Sequence, residues 1–98
     1  MKLDECRKAI DEIDAGILKL LNRRAALSKE IGFIKASAGL PVVDLHREAQ
    51  VLRCVREGTT HDMSSDALAR IYGEILAESR RIQLTIESAV IAKERIVR

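Results

Sequence analysis

Aromatic side chains are almost missing from this 98-residue chain, which has one Phe, one Tyr and no Trp. A β-sandwich wants alternating aromatic and β-branched residues, so the scarcity argues for helices packed through Leu, Ile and Ala. Proline occurs once, leaving little to interrupt a helix. The two cysteines, Cys6 and Cys54, have neither metal-binding nor redox spacing. Cys6 falls on an apolar stripe, so a free buried thiol is expected rather than a disulfide. No charge dominates: 17 basic and 15 acidic residues are interspersed, for a net charge of +2. A nucleic-acid binder would gather lysine and arginine on one face without carboxylates between them. No run approaches a membrane span, and the Met-Lys-Leu-Asp-Glu-Cys-Arg start has no apolar signal core. The expectation is a cytoplasmic protein with no membrane or nucleic-acid partner.

What is present is hydrophobic content of 47% and charge of 33%, which suits one globular domain of a size often aided by oligomerisation. Taken in alternating steps of three and four, the first segment reads Leu3, Cys6, Ile10, Ile13, Ile17, Leu20, Arg24, Leu27, Ile31, Ile34, Ala38. This is the heptad seam of a helix packed lengthwise against partners, and Arg24 alone breaks it. The spacing predicts a first helix from Leu3 or Asp4 to about Ser37, with Asp4 as its N-cap and Gly39 and Pro41 as its stop. Gly16 and Gly32 lie inside it at a cost of about 1 kcal/mol each, and close approach of another helix is the best reason for Gly32. Such a helix is roughly 54 Å long, whereas a compact domain of this size is only about 33 Å across. The helix overhangs its own domain, and an intertwined dimer is the simplest way to cover it.

Leu40-Pro41-Val42-Val43 reads as an extended connector. A second helix is expected from an Asp44 N-cap to Glu57, stopped by Gly58, with Leu45, Ala49, Leu52 and Val55 as its apolar face. Asp44, Arg47 and Glu48 share a different face. After a loop, Ser64 or Ser65 caps a third helix whose stripe is Leu68, Tyr72, Ile75, Ser79, Ile82, Ile86, Ala89. Ser79 interrupts it, and Gln83 follows one turn later. The domain is placed at 1–90, with 91–98 a helix end or linker stub.

The polar residues on packing faces are the candidate site. Arg24 and Lys35 are 11 residues apart, about 20° of rotation and roughly 16.5 Å of rise, so their long side chains can lean towards one point. Arg7 lies roughly 25 Å down the helix and about 100° around it. It joins them only from another subunit's antiparallel first helix. Arginines and a lysine together imply an anion with more than one carboxylate, because guanidinium matches carboxylate oxygens in pairs. Asp44 and Glu48 would suit a ligand hydroxyl, Arg47 adds a cation, and Ser79 and Gln83 add neutral donors and acceptors. No Ser-His-Asp, Cys-His or metal-ligand set appears, and neither His46 nor His61 falls on these faces. No cofactor is expected, and the chemistry would rest on positioning and electrostatics. Singly, an arginine on a stripe is more often a snorkelling residue, Asp44 a helix cap and Glu48 a solvated face. The combination is what argues for a site.

These residues sit in segments that resemble the all-helical class of chorismate mutase, the intertwined three-helix homodimers. The likeness is carried by Arg7 within Cys-Arg-Lys-Ala-Ile-Asp-Glu-Ile-Asp, Leu20-Leu21-Asn22-Arg23-Arg24, Ile31-Gly32-Phe33-Ile34-Lys35, Pro41-Val42-Val43-Asp44-Leu45-His46-Arg47-Glu48 and Glu78-Ser79-Arg80-Arg81-Ile82-Gln83. It spans about residues 3 to 85, with eight separated polar positions matching together. The resemblance implies an all-α intertwined dimer that isomerises chorismate to prephenate by a Claisen rearrangement, on the route to phenylalanine and tyrosine. It implies that Arg24 holds one substrate carboxylate and that Arg7 of the partner holds the other end. Lys35 and Gln83 would bond the ether oxygen. Glu48 would accept from the ring hydroxyl beside Asp44, and Arg47 and Ser79 would complete the carboxylate contacts. Residues 78–83 look like the subtype fused ahead of prephenate dehydratase. Two other functions fit the same helices: an isochorismate pyruvate-lyase, and a non-catalytic dimerisation or regulatory module. The intact Asp44/Glu48 pair and Gln83 favour the mutase.

Overall fold

The computed structural model describes residues 1–59 and 62–97, so Thr60, His61 and Arg98 lie outside the described residues. The described residues form three helices: α1 (Leu3–Ala38), α2 (Leu45–Glu57) and α3 (Ser65–Val97). Among the described residues there is no strand.

The helix ends follow local chemistry, with one correction. Asp4 is not the N-cap of α1; Lys2 is, and the Glu5 carboxylate accepts from the Lys2 backbone N–H at 3.4 Å. Asp4 lies in the first turn instead, where a negative charge still meets the positive end of the helix dipole. Gly39 ends α1 with φ 68°, a left-handed conformation that suits a residue without Cβ, and the Leu40 N–H closes onto the Lys35 carbonyl at 2.8 Å. Asp44 caps α2 as expected, accepting from the Arg47 N–H at 2.9 Å. Ser64 caps α3, its Oγ accepting from the Ala67 N–H at 3.1 Å.

Within one chain α3 is the hub, with α1 and α2 both packed on it. The face that α1 turns to α3 is not its apolar stripe. It is the neighbouring row of small and polar residues, where Ala25 and Ala36 are half-buried and Ser28 and Gly32 are buried. A Cβ on Gly32 would stand 3.0 Å from Ile86 Cβ and 3.2 Å from Gln83 Cα, so this glycine lets the two backbones approach. Gly32→Val therefore loses about 1–3 kcal/mol of stability through overpacking. Urea unfolding at unchanged m-value checks it, and a variant as stable as wild type would show that α3 yields freely.

The face of α2 also differs from expectation. Leu45 is 74% exposed and Ala49 is exposed, while Glu48, Val51, Leu52 and Val55 are half-buried. Val51 takes the place of Ala49 on the half-buried face, where Glu48 meets Arg80 of α3. Cys6 and Cys54 are free thiols as expected, but Cys6 is only half-buried and Cys54 is exposed.

One chain alone buries little. Among the described residues its buried apolar side chains are Val42, Leu76 and Ile82, and its radius of gyration is 17.7 Å against about 13 Å for a compact chain of this length. Ile10, Ile13, Ile17, Leu20, Leu27, Ile31 and Ile34, the stripe of α1, remain 42% to 64% exposed.

Candidate active site

A cleft of about 320 Å³ opens where α1, the 40–44 connector, α2 and α3 converge. Seven of the eight residues singled out in the sequence line it: Arg24, Lys35, Asp44, Arg47, Glu48, Ser79 and Gln83. Arg7 does not; it is exposed on the amino-terminal half of α1.

The floor is a hydrogen-bonded chain between α1 and α3. Arg24 Nη1 donates to Ser79 Oγ at 3.3 Å, and Ser79 Oγ is also hydrogen-bonded to Ser28 Oγ. Arg24, the break in the apolar stripe, thus reaches this serine pair. Its guanidinium is half-buried and fixed at one edge, leaving its other N–H groups for a ligand.

At the other end Lys35 Nζ donates to Gln83 Oε1 and to the Val42 carbonyl, each at 2.9 Å. Two of the three ammonium protons are thus used and one is left. Gln83 is buried and accepts through Oε1, so its amide N–H₂ is its free donor. Lysine and glutamine, hydrogen-bonded to each other, thus each keep a donor, and the connector holds the lysine through the Val42 carbonyl. Such fixed donors reorganise little when charge develops on an atom between them.

On the α2 wall Asp44 is occupied as a cap through Oδ1, and Arg47 Nη1 rests on Gln50 Oε1 at 2.8 Å. Glu48 Oε1 is engaged by Arg80 Nη1, across from α3. Arg80 and Ser28 were missed in the sequence reading, although spacing gave a signal for both. Ser28 lies one turn after Arg24 on the same face, and Arg80 is three residues before Gln83.

The lining carries four cations, Arg24, Lys35, Arg47 and Arg80, against two carboxylates, Asp44 and Glu48. The surplus of two positive charges matches a small dianion. Among the described residues no cluster of three His, Cys, Asp or Glu side chains is arranged to hold a metal ion. His46 is exposed, and no described helix is long and apolar enough to cross a membrane.

Residues 6–84 match the sequence model of the family described as chorismate mutase type II. The chain is 40% identical over 92 residues to a bifunctional chorismate mutase/prephenate dehydratase of Aquifex aeolicus, covering 90% of this chain but 25% of that protein. It is 34% identical over 83 residues to a chorismate mutase of Methanocaldococcus jannaschii, covering 84% of each. Among solved structures, chorismate mutase form II from Thermus thermophilus superposes with a TM-score of 0.81 at 26% identity, over 85% of this chain and 94% of that one. The chain thus spans a quarter of the length of the Aquifex relative and most of the single-function one.

Proposed function

Because the chain belongs to the chorismate mutase type II family, we propose that it isomerises chorismate to prephenate, a step towards phenylalanine and tyrosine. The observation that carries this reading is the pairing of Lys35 and Gln83 at one end of a cleft whose charge complements a dianion. The rearrangement is intramolecular. The ether C–O bond breaks as a C–C bond forms, and neither a nucleophile nor a proton transfer is required. Negative charge grows on the ether oxygen, where the remaining Lys35 proton and the Gln83 amide donate. Arg24 holds one carboxylate, with Ser79 and Arg47 completing the contacts. Glu48 accepts from the ring hydroxyl beside Asp44. Holding the flexible enolpyruvyl arm in its reactive pose supplies much of the remaining acceleration.

The active form in this reading is a cytoplasmic, intertwined homodimer in which Arg7 of each subunit reaches the other's cleft. Its support is the surface that one chain leaves open. The chain exposes 7972 Å², against about 5,600 Å² for a compact monomer of its size. Burying the apolar stripe of α1 on a second copy contributes on the order of 1 kcal/mol per residue. Residues 1–90 form the mutase domain, and the last turns of α3 extend beyond it. The Aquifex relative is named for a prephenate dehydratase activity as well and is matched over a quarter of its length, and fusion to a prephenate dehydratase is a further proposal for this chain.

Incubation with chorismate, following loss of its ultraviolet absorbance and sizing the protein in parallel, tests the reading. Prephenate formation by a dimer is the expected result. Pyruvate release from isochorismate in its place would make the protein a lyase on the same helices, and no turnover of either substrate would leave a dimerisation module.

A further inference from the structure

We infer that Arg80 is a positioning residue, holding Glu48 so that its second carboxylate oxygen faces the cleft as the acceptor for the substrate's ring hydroxyl. This rests on the chorismate mutase reading above. Glu48 stands in the first turn of α2, and Arg80 on α3 reaches across to its Oε1. Both side chains line the cleft, Glu48 mostly covered at 20% exposure and Arg80 partly exposed at 36%.

Three features make Glu48 depend on this contact. First, α2 is only 13 residues long and packs on α3, so the pair sets the register of the α2 carboxylate against Ser79 and Gln83. Second, a glutamate has three rotatable bonds, and the Arg80 Nη1 contact to Oε1 pins one end of a carboxylate that would otherwise sample several rotamers. Third, Asp44 is exposed where it caps the start of α2, whereas Glu48 is half-buried against α3. Arg80 also offsets a negative charge that would otherwise face an incoming dianion, since like charges brought close without compensation repel. With Oε1 taken by Arg80, Oε2 is the oxygen left to accept.

The test is a double-mutant cycle in the full chain, with Arg80→Met and Arg80→Lys each made in the wild-type and Glu48→Gln backgrounds. Arg80→Met is expected to lower kcat/KM for chorismate about tenfold, mainly by raising KM. Arg80→Lys recovers part of that loss. In the Glu48→Gln background, and on a chorismate analogue whose ring hydroxyl is replaced by hydrogen, Arg80→Met costs severalfold less, the remainder being the loss of one cation facing the dianion. A structural brace between α2 and α3 would lower thermal stability without this coupling. Equal fold-losses in both backgrounds, or on both substrates, overturn the inference while the mutase reading stands. No chorismate turnover by wild type overturns both.

Discussion

A dimer assembled from one Arg7→Ala subunit and one Arg24→Ala subunit regains about half of wild-type activity, although each variant homodimer has lost nearly all of it. The expectation follows from where the two arginines stand. Arg24 is in the cleft, tied to Ser79, while Arg7 lies outside it on the exposed half of the same helix. Seventeen residues of helix separate them, roughly 25 Å of rise, and no side chain spans that. If a site uses Arg24 of one subunit and Arg7 of the other, the mixed dimer holds one site with both arginines and one with neither. Each homodimer holds two sites lacking one arginine. The losses in the homodimers should exceed 100-fold, in keeping with about 3 kcal/mol for an arginine clamping a buried carboxylate. Activity measured on heterodimers isolated with two different affinity tags decides the matter. Verified heterodimers no more active than the homodimers would mean that each cleft works with residues of its own chain.

Lys35→Ala should lower kcat about 100-fold while changing KM by less than about threefold. The lysine is held before substrate arrives, by the Val42 carbonyl and Gln83 Oε1, so binding spends little on ordering it. In the proposed reaction its remaining proton would meet an ether oxygen that is a weak acceptor in the substrate and a strong one as the C–O bond breaks. An interaction that strengthens along the reaction coordinate shows in kcat. Because Lys35 also orients the Gln83 amide, Lys35→Ala and Gln83→Ala should be strongly non-additive, the double variant losing little more than the worse single. Steady-state kinetics on the three variants measures this. A loss confined to KM would mean that Lys35 only attracts the dianion, and simple additivity would mean that the two donors act independently.

Much of the helical framework was legible in the chain. The three-four spacing from Leu3 to Ala38 marked one long helix, and Gly39, Asp44 and Gly58 marked turns that local hydrogen bonds then form. Asp4 misled because a carboxylate at either of two adjacent positions can serve a helix start, and Glu5 makes the observed contact. The faces were harder to read. The apolar stripe of α1 pointed to a second subunit and left open which row meets α3; in the single chain α3 takes the row through Ser28 and Gly32. On α2 the pattern favoured Leu45 and Ala49, but placing Glu48 against Arg80 turned both outward.

The sequence by itself determined the helices, most of their caps, and the set of polar residues that breaks their apolar patterns. It could do so because these are local properties, set within one or two turns by propensity, capping and periodicity. Only the tertiary structure decided that Arg24 meets Ser79 across 55 residues, that Lys35 meets Gln83 across 48, and that Glu48 is held by Arg80 across 32. Helical periodicity specifies which residues share a face but not which face it meets. That choice is made by close packing, here by the missing side chain at Gly32, which lets α1 and α3 approach closely enough for the cleft's polar groups to join.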